Sequence, residues 1–301
     1  MRLYVIGGEG QVARSLREAA ALDKNIVFGY GARPEVDLLR LSSIEKALAD
    51  FRPDVVINPA AYTAVDRAES EPDQAFAINR DGARAAAAAA AQQAAPVIHL
   101  STDYVFDGKK QGAYIESDPV APQGVYGRSK LGGELAVVEA NPKHIVLRTS
   151  WVYSPFGSNF VRTMLRLAAE RDRLRVVDDQ LGCPTYAPDI AGAIIAIASQ
   201  VTGSRWNLRF AGVTHLAGPD TLSWCSFAKE IVRGAAERGG RSVPVDPIST
   251  SDYPTAALRP ANSRLSTDRL NATFGIRLRP MRESLSDCLD CLLQPKRGKA
   301  S

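Results

Sequence analysis

Short apolar runs alternating with helical patterns predict an α/β fold for this chain, a doubly wound parallel sheet followed by a smaller C-terminal lobe. Three observations carry that reading. The run Leu3-Tyr4-Val5-Ile6 ends in Gly7-Gly8-Glu9-Gly10 and leads straight into a helical pattern. Further apolar runs recur at 54–58, 96–100 and 144–149, each separated from the next by a segment with helical spacing. Beyond Trp151 the strict alternation lapses. This sets residues 1–150 apart as a dinucleotide-binding domain and residues 151–301 as mainly a substrate-binding lobe, with elements free to interleave.

Taken in order, the first run is a buried strand, and 11–22 is a helix on the spacing of Val12, Leu16, Ala19 and Ala20. Strand, glycine turn and helix together form the setting of a Rossmann-type dinucleotide turn. Glycines let the backbone approach a pyrophosphate, and the helix N-terminus favours its negative charge. Gly7 and Gly10 supply the glycines, and Ala13 stands at the third small position. Residues 25–30 read as the second strand. A helix over 42–51 carries a possible capping box in Ser42 and Glu45. A long helix over 72–95 opens on Pro72, and its seven alanines, 85–91, predict a thin helix lying close on the sheet.

In sheets of this kind ligands bind beyond the carboxyl ends of the strands. Gly7, residues 60–63, Ser101-Thr102 and residues 149–151 all fall there, so one crevice collects them. In the lobe, 159–171, 188–199, 223–238 and 280–293 read as helices, 174–177 as a strand, 179–186 as an irregular loop and 205–216 as extended. The tail after Leu293 is expected to fray. His99, His144 and His215 all fall in strand patterns and read as core or edge residues.

Composition bounds the function. The 301 residues are 45% hydrophobic and 23% charged with a net charge of +4, an ordinary globular balance. Basic residues are dispersed rather than clustered, so no nucleic-acid partner is expected. No apolar run reaches the length of a membrane span, and no cationic leader opens the chain. Cys288 and Cys291 form a C-x-x-C without a second pair or a nearby His. All four cysteines, with Cys183 and Cys225, read as buried or half-buried thiols of a cytoplasmic protein.

The chemistry centres on Tyr126-Gly127-Arg128-Ser129-Lys130, at the start of a predicted helix. Residues four apart share a helix face, a pattern that an ordinary solvated helix also shows. An ammonium about 4 Å from a phenol, at an effective dielectric of about 20, stabilises the phenolate by roughly 4 kcal/mol. That is about three pK units, opposed by burial. Such a Tyr is suited to give a proton to a carbonyl oxygen while a hydride arrives at carbon. A hydroxyl of Ser101-Thr102, at the end of the fourth strand, can bind that oxygen or else satisfy local backbone groups.

Together, the glycine turn, Asn58-Pro59-Ala60-Ala61, Ser101-Thr102 and the Tyr126/Lys130 pair resemble the extended short-chain dehydrogenase/reductase superfamily. Ser101-Thr102-Asp103-Tyr104-Val105-Phe106, Arg148-Thr149-Ser150-Trp151-Val152-Tyr153, Asp179-Gln180-Leu181-Gly182-Cys183-Pro184-Thr185 and Arg259-Pro260-Ala261-Asn262-Ser263-Arg264-Leu265 narrow the resemblance to the dTDP-4-dehydrorhamnose reductases, from Met1 to about Leu293. The resemblance implies reduction of a C4 keto group in a nucleotide sugar, with Tyr126, Lys130 and Thr102 catalytic. Lys130 would also bind the nicotinamide ribose and lower the Tyr126 pKa. It implies Gly10, Gln11 and Val12 at the pyrophosphate, Asp37 and Leu38 by the adenine, and Ala60, Ala61 and Thr63 beside the cofactor. Asp103 and Trp151 match sugar-contacting positions. Arg259 and Arg264 fit either a diphosphate or structural ion pairs. Ser15 replaces the glutamate with which some members bridge a magnesium-linked dimer, so no metal is expected. The protein would act as a monomer or homodimer.

Rival readings are weaker on particular residues. A dehydratase needs a glutamate where Tyr104 stands, and an epimerase favours an acid at the end of the second strand. A methionine adenosyltransferase regulatory subunit need not keep the Thr102, Tyr126, Lys130 and Trp151 set. A sister 4-ketoreductase of another deoxysugar would look nearly the same. For the cofactor, an acid ending the second strand rewards NAD, whereas an Arg accommodates the extra phosphate of NADP. The chain has Tyr30-Gly31-Ala32-Arg33 there, with Glu35 and Asp37 further on. Arg33 therefore selects NADPH, with NADH usable.

Overall fold

In the computed structural model, which describes residues 1–293, six strands form one all-parallel sheet. In chain order the first half contains β1 (Arg2–Ile6), α1 (Gln11–Ala21), β2 (Val27–Gly31), α2 (Leu41–Phe51), β3 (Val55–Asn58), α3 (Val65–Ala68), α4 (Pro72–Phe76), α5 (Ala83–Gln92), β4 (Val97–Thr102), α6 (Val125–Ala140) and β5 (His144–Thr149). The second half adds β6 (Val152–Tyr153), α7 (Phe160–Glu170), β7 (Leu174–Val177), β8 (Leu181–Gly182), β9 (Thr185–Tyr186), α8 (Ala187–Val201), β10 (Gly212–His215), β11 (Leu222–Ser223), α9 (Trp224–Ala236), β12 (Val245–Ile248), β13 (Asn262–Ser263), α10 (Asp268–Phe274) and α11 (Met281–Leu293).

The main sheet runs β2-β1-β3-β4-β5-β10. The inner strands β3 and β4 are buried along their whole length, as strands covered on both faces must be. On one face Val12, Ala13 and Leu16 of α1 pack with Ile190, Ile194 and Ile197 of α8. On the other, Ile44 and Leu48 of α2 meet the alanines of α5 and Val137 of α6. Ala86, Ala87, Ala89 and Ala90 are buried, so the alanine run makes the thin, close-lying helix its composition predicts. The lobe has its own core, in which Phe227 and Ile231 of α9 pack with Val161 of α7, Leu285 of α11 and Leu174 of β7.

Four local expectations change. The capping box at Ser42 does not form; α2 starts at Leu41, and the Ser43 hydroxyl donates to the Arg40 carbonyl at 2.7 Å. The single helix expected over 72–95 is interrupted by a π-helical turn, Ala77–Gly82, between α4 and α5. Within 179–186, short strands β8 and β9 replace the irregular loop; β8 pairs with β11 and β13, and β9 with β6. The stretch 205–216 is not extended throughout: a 3-10 turn, Leu208–Phe210, precedes β10, which joins β5 as the sixth strand of the main sheet. Residues after 150 therefore furnish both the lobe and, through α8 and β10, part of the sheet layer. Of the cysteines, Cys183, Cys225 and Cys288 are buried as expected, but Cys291 is exposed; all four are free thiols. No helix among the described residues is long and apolar enough to cross a membrane. The tail after Leu293 lies outside the described residues.

Candidate active site

Strand order reverses between β1 and β3, because the chain goes from β1 outward to β2 and then back across to β3. The turns leaving β1 and β3 therefore diverge and open a crevice at their carboxyl ends. A cavity of about 730 Å³ occupies it. Gly7, Gly10, Gln11, Val12, Ala60, Ala61, Thr63, Thr102, Asp103, Tyr126, Lys130 and Trp151 all line it, so most of the residues singled out from sequence converge on one space. Gly7 has φ +92°, a left-handed conformation that disfavours other residues, and a Cβ there would press on Ala60. Gly10 caps α1 without any side-chain hydrogen bond, and a Cβ there would meet nothing within 4 Å. First-turn amides and open space beside them suit an anion.

The carbonyl chemistry sits opposite. Glu69 accepts a hydrogen bond from the Val125 amide at 2.8 Å, placing a carboxylate at the N-terminus of α6. One residue on, Tyr126 enters the cavity, with the ring of Tyr104 edge-on at 5.4 Å. Burial pushes the Tyr126 phenol up from its ordinary value, while a hydrogen bond with the Thr102 hydroxyl pulls the other way. The expectation that Lys130 lowers the Tyr126 pKa is thus not met here. The Lys130 ammonium donates to the Leu100 carbonyl at 2.6 Å and lies 3.5 Å from His99 Nε2. Its own pKa is pushed down to about 8 by burial, with Glu134 opposing. Thr102 donates to Asp103 Oδ1 at 3.1 Å. Burial raises the Asp103 carboxyl to about 6, against the Ser263 and Thr102 hydroxyls, and its Oδ2 is buried with no partner. Thr149 Oγ1, also lining the cavity, is likewise buried and unpartnered.

Behind these side chains are three supports that pattern reading missed. At the π-helical turn, Asn79 accepts from the Tyr62 amide at 2.8 Å and donates to the Tyr62 carbonyl and to Ser129 Oγ; Ser129 in turn donates to the Tyr126 carbonyl at 2.8 Å. One amide side chain thereby ties the 61–63 loop to the Tyr126 turn. His99, expected to be a core residue, is fully buried; it is also wedged between Asn58 Nδ2 and Lys130, with its pKa driven well down by burial. Glu134 is held by Arg148 through paired hydrogen bonds of 2.9 and 2.7 Å and accepts from Ser101, an almost fully buried pair beneath the strand ends. For Glu134 the available signal was its spacing four after Lys130; Asn79, followed directly by Arg80 and Asp81, offers none.

A family model described as the RmlD substrate binding domain matches residues 1–294. A dTDP-4-dehydrorhamnose reductase of Sinorhizobium fredii is 52% identical over 284 residues, covering 94% of this chain and 95% of the relative. The chain belongs to the dTDP-4-dehydrorhamnose reductase family. The Escherichia coli K12 reductase is 40% identical, with 92% of this chain and 93% of the relative covered. Among solved structures, a dTDP-4-dehydrorhamnose reductase of Clostridium acetobutylicum matches with a TM-score of 0.89 at 36% identity, covering 97% of this chain and 99% of the other. One from Bacillus anthracis, solved in complex with NADP, matches with 0.87 at 34% identity over 95% and 98%.

In this member of the reductase family some sequence-derived positions stand apart from the cavity. Arg33, Asp37 and Leu38 do not line it. They follow β2, whose Tyr30 ring lies against Gly8 of the glycine turn. Arg33 is exposed and makes no ion pair with another described residue. Gln11 lines the cavity, but its side-chain oxygen accepts from Ser154 at 2.7 Å and Asn159 at 3.0 Å, which clamps α1 to the loop before α7. Arg259 is paired with Asp66 at 2.6 Å and lies 3.4 Å from the Tyr104 hydroxyl. Arg264 donates to Asn262 Oδ1 and to the Gln111 carbonyl, so it braces the 110–112 turn. Trp151 takes φ +47°, a left-handed backbone that costs a non-glycine residue roughly 1–2 kcal/mol.

Proposed function

We propose that the chain reduces the C4 keto group of dTDP-4-dehydro-L-rhamnose to give dTDP-L-rhamnose, the last step of dTDP-rhamnose synthesis, with NADPH as reductant. The observation carrying this reading is the single cavity that has the glycine turn on one side and Tyr126, Lys130, Thr102 and Trp151 on the other. When bound, NADPH supplies the hydride to C4. Gly7, Gly10, Val12 and the first-turn amides of α1 hold its diphosphate; Ala60, Ala61 and Thr63 flank it, and Arg33 receives the extra phosphate. The open space at Gly10 fits that assignment.

The chain's own groups handle the proton. Tyr126 gives it to the C4 oxygen, and burial, by raising its pKa, keeps the phenol protonated through the neutral range. Thr102 holds the same oxygen. Lys130, charged below about pH 8, holds the nicotinamide ribose. Asp103 Oδ2 accepts from a sugar hydroxyl, which supplies the partner this buried atom lacks. The Trp151 indole forms a wall for the ring and methyl of a 6-deoxy sugar. The reading includes a cytoplasmic enzyme, in keeping with four free thiols, acting as a monomer or homodimer on a nucleotide sugar.

The test is turnover by the purified chain, followed as loss of NADPH absorbance with dTDP-4-dehydrorhamnose and checked by the mass of the product. A product heavier than the substrate by two hydrogens supports the assignment. NADPH binding without consumption in the presence of the keto sugar would overturn it.

A further inference from the structure

Trp151 stands where the chain leaves the main sheet for the lobe, and its side chain does not stand alone. The indole of Trp224, the first residue of α9, lies on it with ring centroids 3.4 Å apart and planes only 8° from parallel. Trp224 does not itself line the cavity. Its ring is fixed from three directions. The indole N–H donates to Gln180 Oε1 at 3.2 Å, and Gln180 Nε2 donates in turn to Thr250 Oγ1 at 3.0 Å. The Phe160 ring packs on it at 4.5 Å. Ser223, the N-cap of α9, accepts from the Ser226 amide and donates to Asp178. Gly182 of β8 comes so near Trp151 that a methyl group there would overlap the indole.

We propose that Trp224 is a positioning residue for Trp151, and that this indole stack, with Gly182 beside it, determines how tightly the cavity holds its sugar. The proposal rests on Trp151 facing the sugar, as read above. The physical reason is preorganisation. Trp151 holds a strained backbone conformation that needs support from its surroundings. An unstacked indole there would sample several rotamers and would have to be ordered when the substrate arrives. A contact that serves the bound substrate and the transition state alike appears in KM and leaves kcat alone. That split separates positioning from general damage to the fold.

The experiment compares wild type with Trp224→Phe, which keeps an aromatic ring but removes the indole N–H and much of the overlap. Gln180→Leu keeps both indoles and removes the acceptor of the indole N–H together with the amide that reaches Thr250. Stacked indoles couple electronically and give a paired-sign band in far-UV circular dichroism. The band should disappear in Trp224→Phe and Trp151→Phe but persist in Trp206→Phe. In Trp224→Phe the KM for the nucleotide sugar should rise about tenfold, the upper worth of one aromatic pair. kcat and the KM for NADPH should stay within about twofold. Gln180→Leu should give a smaller rise, about threefold, in the same constant alone. A Trp224→Phe enzyme that has lost the band but keeps the wild-type sugar KM overturns the proposal, as does a parallel fall in kcat and NADPH affinity. If Trp224→Phe does not fold, Gln180→Leu decides it: an unchanged sugar KM overturns the proposal, and a selective rise supports it. The band's response to added nucleotide sugar is read without turnover. An inactive wild type whose band still shifts on sugar binding therefore counts against the catalytic reading and not against the stack.

Discussion

Asp103→Asn should make the protein more stable at neutral pH and worse at its reaction. The wild-type carboxyl is 4% exposed and has one oxygen without a partner, and burial pushes its pKa up from the ordinary 3.8 to about 6. A folded pKa above the unfolded one means that the folded state holds its proton more tightly. The associated stability is fully present below the unfolded pKa and is lost as pH rises through about 6. A shift of roughly two units corresponds to about 3 kcal/mol. Asparagine carries no such charge, and its side-chain carbonyl can still accept from Thr102. Urea unfolding from about pH 4 to about pH 8 should therefore show the two proteins converging in acid, with the variant ahead by up to about 3 kcal/mol at the alkaline end. Turnover at saturating NADPH should fall in the same variant, since a buried carboxylate retained at a stability cost is serving the site. A stability gap that is the same at both ends of the range would refute the burial argument.

Tyr126→Phe should lower kcat by roughly 10² to 10⁴, the usual worth of a general acid, with NADPH affinity little changed; stopped-flow binding and steady-state rates separate the two. Because burial lowers Lys130 to about 8, kcat/KM should decline on the alkaline side around that pH, and Lys130→Arg should remove the decline; a profile flat past pH 9 in wild type would speak against a charged Lys130 in the reaction. Arg33→Ala should lower kcat/KM for NADPH while leaving NADH nearly untouched, and an unchanged ratio would remove Arg33 as the selector.

Sequence and structure agree best where one segment contains its own signal. The Leu3-to-Ile6 run with its glycines and the alanine helix are local patterns that take their expected places, and Tyr126 and Lys130, another local pattern, both line the cavity. Agreement fails where the decisive partner is distant in the chain. The Lys130 ammonium meets the Leu100 carbonyl and His99, thirty residues away on β4, and nothing in its helical spacing reveals them. Gln11 reads as a phosphate-side residue because it follows a glycine turn, yet its side chain is held by Ser154 and Asn159 from the lobe. The π-helical turn at Asn79 is invisible to a periodicity argument, which sees only a continuous helix from Pro72 onward. Two-residue strands such as β8 and β13 are too short to show alternation and exist because the lobe brings them together.

The placement of β10 has a consequence for how the protein can be made and divided. The sheet's outer strand arrives more than sixty residues after β5, once α7 and α8 have been laid down. A fragment ending near residue 150 would therefore leave Ile145 to Arg148 with an unsatisfied hydrogen-bonding edge where Gly212 to His215 belong. It would also strip the α8 side chains from Val12 and Leu16. During synthesis the emerging chain exposes that same edge until β10 leaves the ribosome. Aggregation should thus track the length of nascent chain released, highest for truncations between β5 and β10 and falling sharply once His215 is included.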